Sequence, residues 1–281
     1  MQNYCRIAPS IGKLDGDPHK VWSTLPYTPD TNPEHLDAPC VFFGIYGLND
    51  FYALWRHRGK KWVFWAGSDI RHFKDGYWLD DVGKIRIESK QLAKWMNDNC
   101  ETWVENQVEA EALRQCGIHK VNVGQSFVGD VNEYPLDFTP SRNPRVYASV
   151  SGNDFELYRW KEIEQLAFEN PEVEFHLYGN TVEYKPKRPL TNFVVHGRVP
   201  KEQMNAEIRT MQGALRPLPF DGFSEVLAKS VLLGQWPISK INYKYILKMK
   251  GLKFLKNMKH PNVEGRDYYI KNLNNFPWSQ K

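Results

Sequence analysis

The sequence lacks the marks of a metal-bound, disulfide-linked or membrane-spanning protein. Its four cysteines, Cys5, Cys40, Cys100 and Cys116, form no CxxC pair and have no histidine nearby at ligand spacing. This pattern argues against a zinc centre and against a disulfide scaffold. No window approaches the roughly 20 apolar residues of a membrane span, and the first residues lack the basic-then-apolar order of a signal peptide. We therefore expect a protein of the reducing cytoplasm without a transmembrane segment.

The composition is that of a folded globular protein with an uneven distribution of charge. Of the 281 residues, 41% are hydrophobic, 14% aromatic and 25% charged, and a chain of this length forms one large or two medium-sized domains. The net charge of +4 conceals a basic end, because residues 240–281 contain ten lysines or arginines against two acidic residues. The rest of the chain is net acidic, so the positive charge is a property of the C-terminal segment.

Residues 212–238, QGALRPLPFDGFSEVLAKSVLLGQWPI, predict a strand, a loop, a helix and a second strand. The first strand is short and largely apolar, and Pro217 and Pro219 end it. Gly222 permits a tight turn, and Ser224 can cap the helix that follows. Because open α/β sheets bind ligands where strands end and helices begin, this loop is a candidate site for a diphosphate.

Strands and helices alternate along most of the chain, which is typical of a parallel α/β sheet. Compact apolar runs predict strands, and runs with one apolar face predict helices. The predicted strands are residues 41–45, 61–66, 101–104, 120–123, 145–150, 173–178, 193–196 and 212–216. The predicted helices are residues 49–57, 88–97, 105–116, 155–169, 201–211 and 225–233. The GSDI segment after the second strand is predicted to be a loop.

A proline-rich segment divides this pattern into two parts. Residues 130–144 contain three prolines and no periodic pattern, which is typical of a linker. We therefore expect an α/β protein with two Rossmann-like domains facing a cleft. The first is expected over residues 1–135 and the second over residues 136–240, followed by a basic helical segment, residues 241–281, that packs back on the first domain.

The second half resembles the retaining GT-B glycosyltransferases of the family 4 type, with its segments in the same order. Residues 170–180, NPEVEFHLYGN, resemble that family's strand ending on glycine, and residues 194–204, VVHGRVPKEQM, resemble its Gly-then-Val-Pro step. Residues 216–238 resemble its donor signature of Pro, Glu-Gly-Phe-Gly, Glu-Ala and Gly-x-Pro-Val. The resemblance covers most of residues 145–239 and is looser in the first half, as in a small, divergent, phage-like member.

The resemblance implies a site for a nucleoside-diphosphate sugar that needs neither a metal nor a further cofactor. Asp221 matches the first acid of the signature, whereas Lys229 stands where the family has the second acid, which holds the donor's ribose. Without a metal, helix N–H groups and basic side chains such as Arg216 stabilise the departing diphosphate. The donor-binding candidates are Arg159, Gly179, Arg198, Arg216, Asp221, Gly222, Phe223, Ser224, Glu225 and Lys229.

Each donor candidate also has a structural interpretation that the sequence leaves open. Asp221 could cap the helix, the glycines could serve turns, and Arg216 could form a surface ion pair. The pair Asp80-Asp81 lacks the spacing of a metal-binding DxD motif, so we assign no metal.

Polar residues of the first half are candidates for catalysis and acceptor binding. Asp69 follows a strand in a Gly-Ser loop, where a carboxylate could orient an acceptor hydroxyl or act as a base. Capping of a helix that begins at Ile70 is the alternative. His72, close to Asp69 in sequence, is the second catalytic candidate. The acceptor-binding candidates are Gly44, Gly47 and Ser68.

The acceptor of this hexosyl- or pentosyltransferase is open between DNA and a glycan. Residues 241–260, INYKYILKMKGLKFLKNMKH, interleave lysines with apolar side chains and predict an amphipathic helix. Its basic face could be solvated, or could bind an anionic membrane surface or a nucleic-acid backbone. A hydroxymethylated DNA base, which the enzyme would extrude, is the leading acceptor. A glycan, a lipid-linked polysaccharide, and a non-catalytic nucleotide-sugar-binding role are the alternatives.

Overall fold

The structure is a computed structural model that describes residues 2–12, 14, 16–78, 86–150, 153–249 and 252–279. Contacts within the chain divide it into two compact units. The first unit comprises Met1–Asp130, Phe220–Phe223 and Asn272–Lys281, and the second comprises Val131–Pro219 and Ser224–Lys271. The chain thus passes between the units in four places, and most of the basic C-terminal segment belongs to the second unit.

The first unit is built on a parallel sheet of six strands in the order β2-β1-β3-β4-β7-β8. The strands of the whole first unit are β1 (Tyr4–Ile7), β2 (Leu25–Pro26), β3 (Cys40–Phe43), β4 (Lys61–Phe64), β5 (Tyr77–Trp78), β6 (Arg86–Ile87), β7 (Glu101–Val104) and β8 (Val121–Val123). Strands β5 and β6 form a separate antiparallel pair. Its helices are α1 (Pro18–Val21), α2 (Leu48–Arg56), α3 (Ser68–Asp75), α4 (Ser89–Asn99) and α5 (Gln107–Gln115), with a 3-10 turn at Pro33–Leu36.

The sheet of the first unit is covered on both faces. All four residues of β3 and all four of β4 are buried, as expected for central parallel strands that carry apolar side chains in both directions. On one face the C-terminal residues of the chain supply part of the cover. Phe276 lies 5.0 Å from Phe64 and Trp278 lies 6.0 Å from Trp22, measured between ring centroids. The last residues of the chain therefore belong to the core of the first unit.

The second unit contains a second parallel sheet, in the order β11-β10-β9-β12-β13-β14. Its strands are β9 (Arg145–Ser149), β10 (Glu174–Tyr178), β11 (Phe193–Gly197), β12 (Gly213–Arg216), β13 (Ile238–Ser239) and β14 (Leu247–Lys248). Its helices are α6 (Trp160–Glu169), α7 (Lys201–Ile208), α8 (Glu225–Leu232) and α9 (Val263–Asn272), with 3-10 turns at Val131–Glu133 and Lys253–Asn257. The expectation of an α/β protein with two Rossmann-like units is confirmed.

Three local predictions differ from the structure. The helix predicted over residues 155–169 begins at Trp160, because Arg159 adopts a left-handed backbone with φ of 59° and interrupts it. The loop predicted at GSDI is the first turn of α3, which begins at Ser68. Strands β1 and β2 lie in a region for which the sequence analysis predicted no element.

The predicted amphipathic helix over residues 241–260 was wrong. Tyr245 has a left-handed backbone with φ of 59°, which a continuing α-helix does not allow. The chain instead adds β14 to the sheet, where Leu247 pairs with Ile238. Apolar side chains that suggested a helical face, such as Leu252 and Leu255, are buried in the core of the second unit.

No helix among the described residues combines the length and the apolar character needed to cross a membrane.

Candidate functional site

The sheet of the second unit changes winding direction between β9 and β12. From β9 the chain proceeds outward to β10 and β11, then returns and proceeds to the other side through β12, β13 and β14. In open parallel sheets, ligands bind beside such a switch point, outside the carboxyl ends of the strands. The carboxyl ends at this switch point are Ser149 on β9 and Arg216 on β12.

Arg216 is therefore the sequence candidate that occupies the switch point. A terminal nitrogen of its guanidinium lies 3.4 Å from the carbonyl oxygen of Ser149, to which it donates. The guanidinium carbon lies 4.7 Å from the centroid of the Tyr158 ring, in a cation–π contact. The side chain is half-buried. These contacts orient a permanent positive charge beside the switch point.

Gly179 and its neighbours bring the backbone close to the same edge of the sheet. Gly179 follows β10 with φ of 94°, and a Cβ placed on it would overlap the carbonyl oxygen of Val150. Its amide nitrogen donates to the carbonyl oxygen of Gly197, which ends β11 with φ of 70°. Only glycine adopts such left-handed backbone readily, so both residues serve tight exits from strands. Arg198 follows them and is exposed, as is Arg159 before α6.

Helix α8 begins directly after the predicted donor loop. Ser224 precedes it in extended conformation and Glu225 is its first residue. The N–H groups at such a helix start carry partial positive charge and suit an anion. Lys229 is largely buried on this helix, and its ammonium group lies 5.8 Å from the centroid of the Tyr134 ring. The residue that replaces the family's second acid thus faces an aromatic ring of its own unit.

The loop at Asp221, Gly222 and Phe223 belongs to the first unit. The amide nitrogen of Phe223 donates to a carboxylate oxygen of Glu105 over 2.7 Å. The side-chain amide of Asn106 donates to the carbonyl oxygen of Asp221, also over 2.7 Å. A Cβ on Gly222 would overlap the Glu105 carboxylate, so the close contact with Glu105 favours glycine there.

Glu105 and Glu109 form a buried acidic pair beneath this loop, which the sequence analysis did not identify. Burial, and to a lesser degree the charge of Asp221, raises the pKa of Glu105 to about 7. Hydrogen bonds from Ser126 and Phe223 act in the opposite direction and lower it. Burial, followed by the charge of Glu105, raises the pKa of Glu109 well above its usual value. One oxygen of Glu109 accepts from the Glu105 amide nitrogen, whereas the other, Oε1, is buried without a hydrogen-bond partner. The signal in the sequence is that Glu105 directly follows a strand.

The polar candidates of the first half converge where β3 and β4 end. Gly44 follows β3 with φ of 83°, and a Cβ there would lie 2.9 Å from the ring of Tyr46. The Tyr46 hydroxyl lies 2.8 Å from the Ser68 hydroxyl, and its ring lies 5.8 Å from that of exposed His72. Gly47 precedes α2 in extended conformation. Tyr46 joins these residues, and the sequence analysis missed it.

Asp69 lies at the base of this group and is fully buried. One of its oxygens accepts from the Ile45 amide nitrogen at 2.9 Å and the other from the Ala66 amide nitrogen at 3.0 Å. Burial raises its pKa to about 7 even though these amides lower it. Both oxygens are thus used to join the loop after β3 to the loop after β4. With no surface left for an acceptor hydroxyl, Asp69 has a structural task, and it is the second residue of α3 rather than its cap.

The acidic pair that was compared with a metal-binding DxD motif, Asp80 and Asp81, lies outside the described residues. Within the described part of the chain, no group of three or more histidine, cysteine or acidic side chains is arranged to hold a metal ion.

Comparisons with known proteins relate the chain to others only through its fold. No protein-family profile matches the sequence, and no curated protein matches it. Among solved structures, TarM is similar with a TM-score of 0.55 and 14% identity, over 83% of this chain and 51% of TarM. The G117R mutant of S. aureus TarM, in complex with Fondaparinux, alpha-GlcNAc-glycerol and UDP, gives a TM-score of 0.53 and 12% identity over 83% of this chain and 52% of that protein.

A third similar structure is apo OtsA, with a TM-score of 0.56 and 11% identity over 87% of this chain and 71% of OtsA. The chain spans about half the length of TarM. These neighbours are GT-B glycosyltransferases. At such low identity the likeness concerns architecture alone, and the chain has the GT-B type of α/β fold, with two Rossmann-like units.

Proposed function

We propose that this protein is a glycosyltransferase that moves a sugar from a nucleoside-diphosphate sugar to a hydroxyl acceptor. The observation that carries the proposal is Arg216 at the carboxyl end of β12, beside the switch point of the second sheet. The donor-like sequence motif begins at this residue. Structures with the same type of fold include one that contains UDP.

The chemistry of the transfer requires that charge be neutralised as the nucleoside diphosphate departs. A guanidinium donates two parallel hydrogen bonds to phosphate oxygens and remains charged at every physiological pH. Arg216 supplies such a group, oriented by Ser149 and Tyr158. The start of α8 supplies backbone N–H groups with partial positive charge. Together they stabilise the developing charge without a metal ion.

Lys229, on α8 of the second unit, completes the proposed donor site. In the proposal it changes how the ribose is held, since an ammonium donates where a carboxylate accepts. We further propose retention of the anomeric configuration, on the strength of the motif. The anomeric proton coupling of the product, measured by NMR, distinguishes retention from inversion.

The proposed acceptor is a hydroxyl group of a glycan. DNA, which the sequence analysis put first, draws its support from a basic amphipathic helix at residues 241–260, and that helix does not form. Two of its lysines are engaged within the second unit: Lys256 lies 3.6 Å from a carboxylate oxygen of Glu172, and Lys244 lies 4.6 Å from the Tyr268 ring centroid. His72 and Tyr46, at the ends of β3 and β4, are the proposed acceptor-side contacts.

The proposal is tested by nucleotide binding to the full chain and to Arg216→Gln. We expect at least one of UDP, GDP, ADP and TDP to raise the melting temperature, since a ligand of the native state stabilises it by mass action. Calorimetry with that nucleotide should show dissociation constants about tenfold or more higher for Arg216→Gln, the equivalent of about 1.4 kcal/mol or more.

Arg188→Gln is the matched control, because Arg188 is also an arginine stacked on an aromatic ring of the second unit, with its guanidinium carbon 4.5 Å from the Phe168 ring centroid. This control should bind the nucleotide as the unaltered protein does. Absence of binding by all four nucleotides, or equal binding by Arg216→Gln, would overturn the donor site. A gel shift with hydroxymethylated duplex at two salt concentrations tests the DNA acceptor, which requires affinity that falls steeply with salt.

A further inference from the structure

The first unit contains a cavity that none of the candidate residues above lines. It is a cavity of about 540 Å³, within the range of small-ligand pockets. Its walls come from the strand β1, the segment after β2 and one side of α2. The lining residues are Arg6, Tyr27, Thr28, Pro29, Asp30, Thr31, Asn49, Tyr52, Ala53 and Arg56. All of them belong to the first unit.

The charges of this cavity are balanced. Arg6 lies 2.8 Å from a carboxylate oxygen of buried Asp50, and Arg56 lies 3.3 Å from a carboxylate oxygen of Asp30. Each positive charge is therefore matched by a carboxylate, and the cavity has no net field that would attract a phosphate chain. The pair of Arg56 and Asp30 is partly exposed, with side-chain exposures of 37% and 83%, and such a pair is held weakly enough to rearrange around a ligand.

The polar groups around the cavity alternate between donors and acceptors. Arg56 offers only donors, Asp30 only acceptors, and Asn49 and Thr31 offer both. A ligand with many neighbouring hydroxyl groups, each of which donates and accepts, satisfies such a set. A fully ionised phosphate ester only accepts, so it has no hydrogen to offer Asp30.

An exposed aromatic pair adjoins the cavity on α2. Tyr52 and Trp55 are each 55% exposed, and their rings lie 5.9 Å apart with an angle of 26° between the planes. Tyr52 and Tyr27 both line the cavity, and the Tyr27 hydroxyl lies 3.1 Å from His57 Nδ1. Large aromatic side chains at such exposure leave apolar faces in water, where the C–H face of a sugar ring can cover them.

We propose that this cavity and the Tyr52–Trp55 pair form a binding subsite for an uncharged oligosaccharide. One sugar ring lies against Tyr52, the next extends over Trp55, and the hydroxyl groups of the first meet Arg56, Asp30 and Asn49. Binding there requires no nucleotide, so the inference stands independently of the donor site. In a glycosyltransferase, such a subsite would hold part of a glycan acceptor away from the reacting hydroxyl.

The test uses the full chain without nucleotide, titrated by calorimetry with maltotetraose, cellotetraose and chitotetraose. Binding of at least one is expected, with perturbation of the Trp55 indole N–H signal in NMR spectra. Tyr52→Ala and Arg56→Ala should each weaken that binding about tenfold, because each removes one wall of the subsite. Both positions are on the surface of α2, and circular dichroism establishes that the variants remain folded.

Trp78→Ala is the matched control, since Trp78 is an equally exposed aromatic of the first unit, at 53%, that does not line the cavity. It should leave saccharide binding unchanged, as should Arg216→Gln. That second result separates this inference from the donor-site proposal. The proposal is overturned if none of the three saccharides binds, if Tyr52→Ala and Arg56→Ala bind normally, or if only single-stranded DNA binds at the Tyr52–Trp55 pair.

Discussion

Individual buried carboxylates in this protein hold loops by accepting backbone N–H groups. Asp69 accepts from Ile45 and Ala66, and Glu105 accepts from Phe223 and from Ser126. A carboxylate has two oxygens that only accept, so one such side chain can accept several backbone amides. These residues therefore shape the ends of the strands, where the candidate sites lie, without needing to touch a substrate.

Gly222 shows how closely the loop meets its carboxylate. A Cβ on Gly222 would overlap Glu105 Oε2, and Glu105 is fixed by Ser126 on its other oxygen. We expect Gly222→Ala to lower the free energy of unfolding by about 1–3 kcal/mol, as overpacking of a filled site does. Urea denaturation, followed by tryptophan fluorescence, measures the change.

Gly12→Ala is the control for this substitution, because a Cβ on Gly12 has no heavy atom within 4 Å. Its effect should stay within about 0.5 kcal/mol. Equal stability of Gly222→Ala and the unaltered protein would mean that the Glu105 contact with the loop is not maintained in solution.

Single residues were the hardest part of this structure to predict from the sequence. Arg216 could be assigned to a strand end because apolar residues precede it and prolines follow. Asp69 was placed correctly after a strand, but its burial, and with it the loss of catalytic access, depends on the amides of Ile45 and Ala66. Glu105 contacts a loop more than a hundred positions away in the chain, and no local pattern encodes such a contact.

At the scale of elements, central strands were the most predictable features. The runs at β3, β4 and β12 are short and largely apolar, and they became buried parallel strands. The helix predicted over residues 241–260 was wrong because an alternation of lysine and apolar residues suits a strand edge and a 3-10 turn as well as a helix. Pairing of β14 with β13 decided between these conformations, and pairing is not visible in a single segment.

Strands β10 and β11 carry a row of polar side chains that their pairing creates. His176 Nδ1 lies 2.8 Å from His196 Nε2, and His176 Nε2 lies 3.4 Å from a carboxylate oxygen of Glu174. On the other side, His196 Nδ1 lies 3.5 Å from a carboxylate oxygen of Glu207, which also accepts from the Tyr178 hydroxyl at 2.6 Å. Residues two apart on a strand share a face, but only the register of β10 with β11 brings the two histidines together.

This row predicts the tautomer of His176. Glu174 can only accept, so His176 must carry its hydrogen on Nε2 and accept from His196 through Nδ1. Burial lowers the pKa of His176, more than the Glu174 hydrogen bond raises it, which agrees with a neutral ring. We expect long-range ¹⁵N–¹H NMR correlations at pH 7 to show the Nε2–H form of His176.

The control for the tautomer is Glu174→Ala, which removes the acceptor at Nε2. In that variant His176 should lose its strict preference and show both neutral forms. A dominant Nδ1–H form in the unaltered protein would contradict the row of hydrogen bonds described here.

At the scale of the whole molecule, folding changes the number of bound protons in opposite directions in the two units. In the first unit, burial raises the pKa values of Asp69 and Glu105 to about 7 and raises that of Glu109 well above its usual value. His57 opposes them, because burial lowers its pKa to about 4. Three carboxyl groups outweigh one imidazole, so between pH 5 and 7 the folded first unit holds more protons than its unfolded form.

The second unit has the reverse balance over the same range. Burial lowers the pKa of His176, and the Tyr178 hydroxyl lowers that of Glu207. A group with a depressed pKa stabilises the fold above its unfolded pKa and loses that contribution as the pH falls. The folded second unit therefore holds fewer protons than its unfolded form below about pH 6.5.

These signs predict that the stabilities of the two units change in opposite directions with pH. From pH 5.5 to 7.0 the first unit should lose stability, because its buried carboxyl groups must either stay protonated or ionise without water, and the second should gain. Hydrogen exchange followed by mass spectrometry resolves the units, and after correction for intrinsic exchange rates the opening free energy of peptides from β3 and β4 should fall by about 1 kcal/mol or more. The opening free energy of peptides from β9 and β10 should rise or stay level.

Glu109→Gln removes one of the three carboxyl groups and should reduce the pH dependence of the opening free energy in the first unit alone. The same pH dependence in both units of the unaltered protein would contradict the assignment of these buried groups.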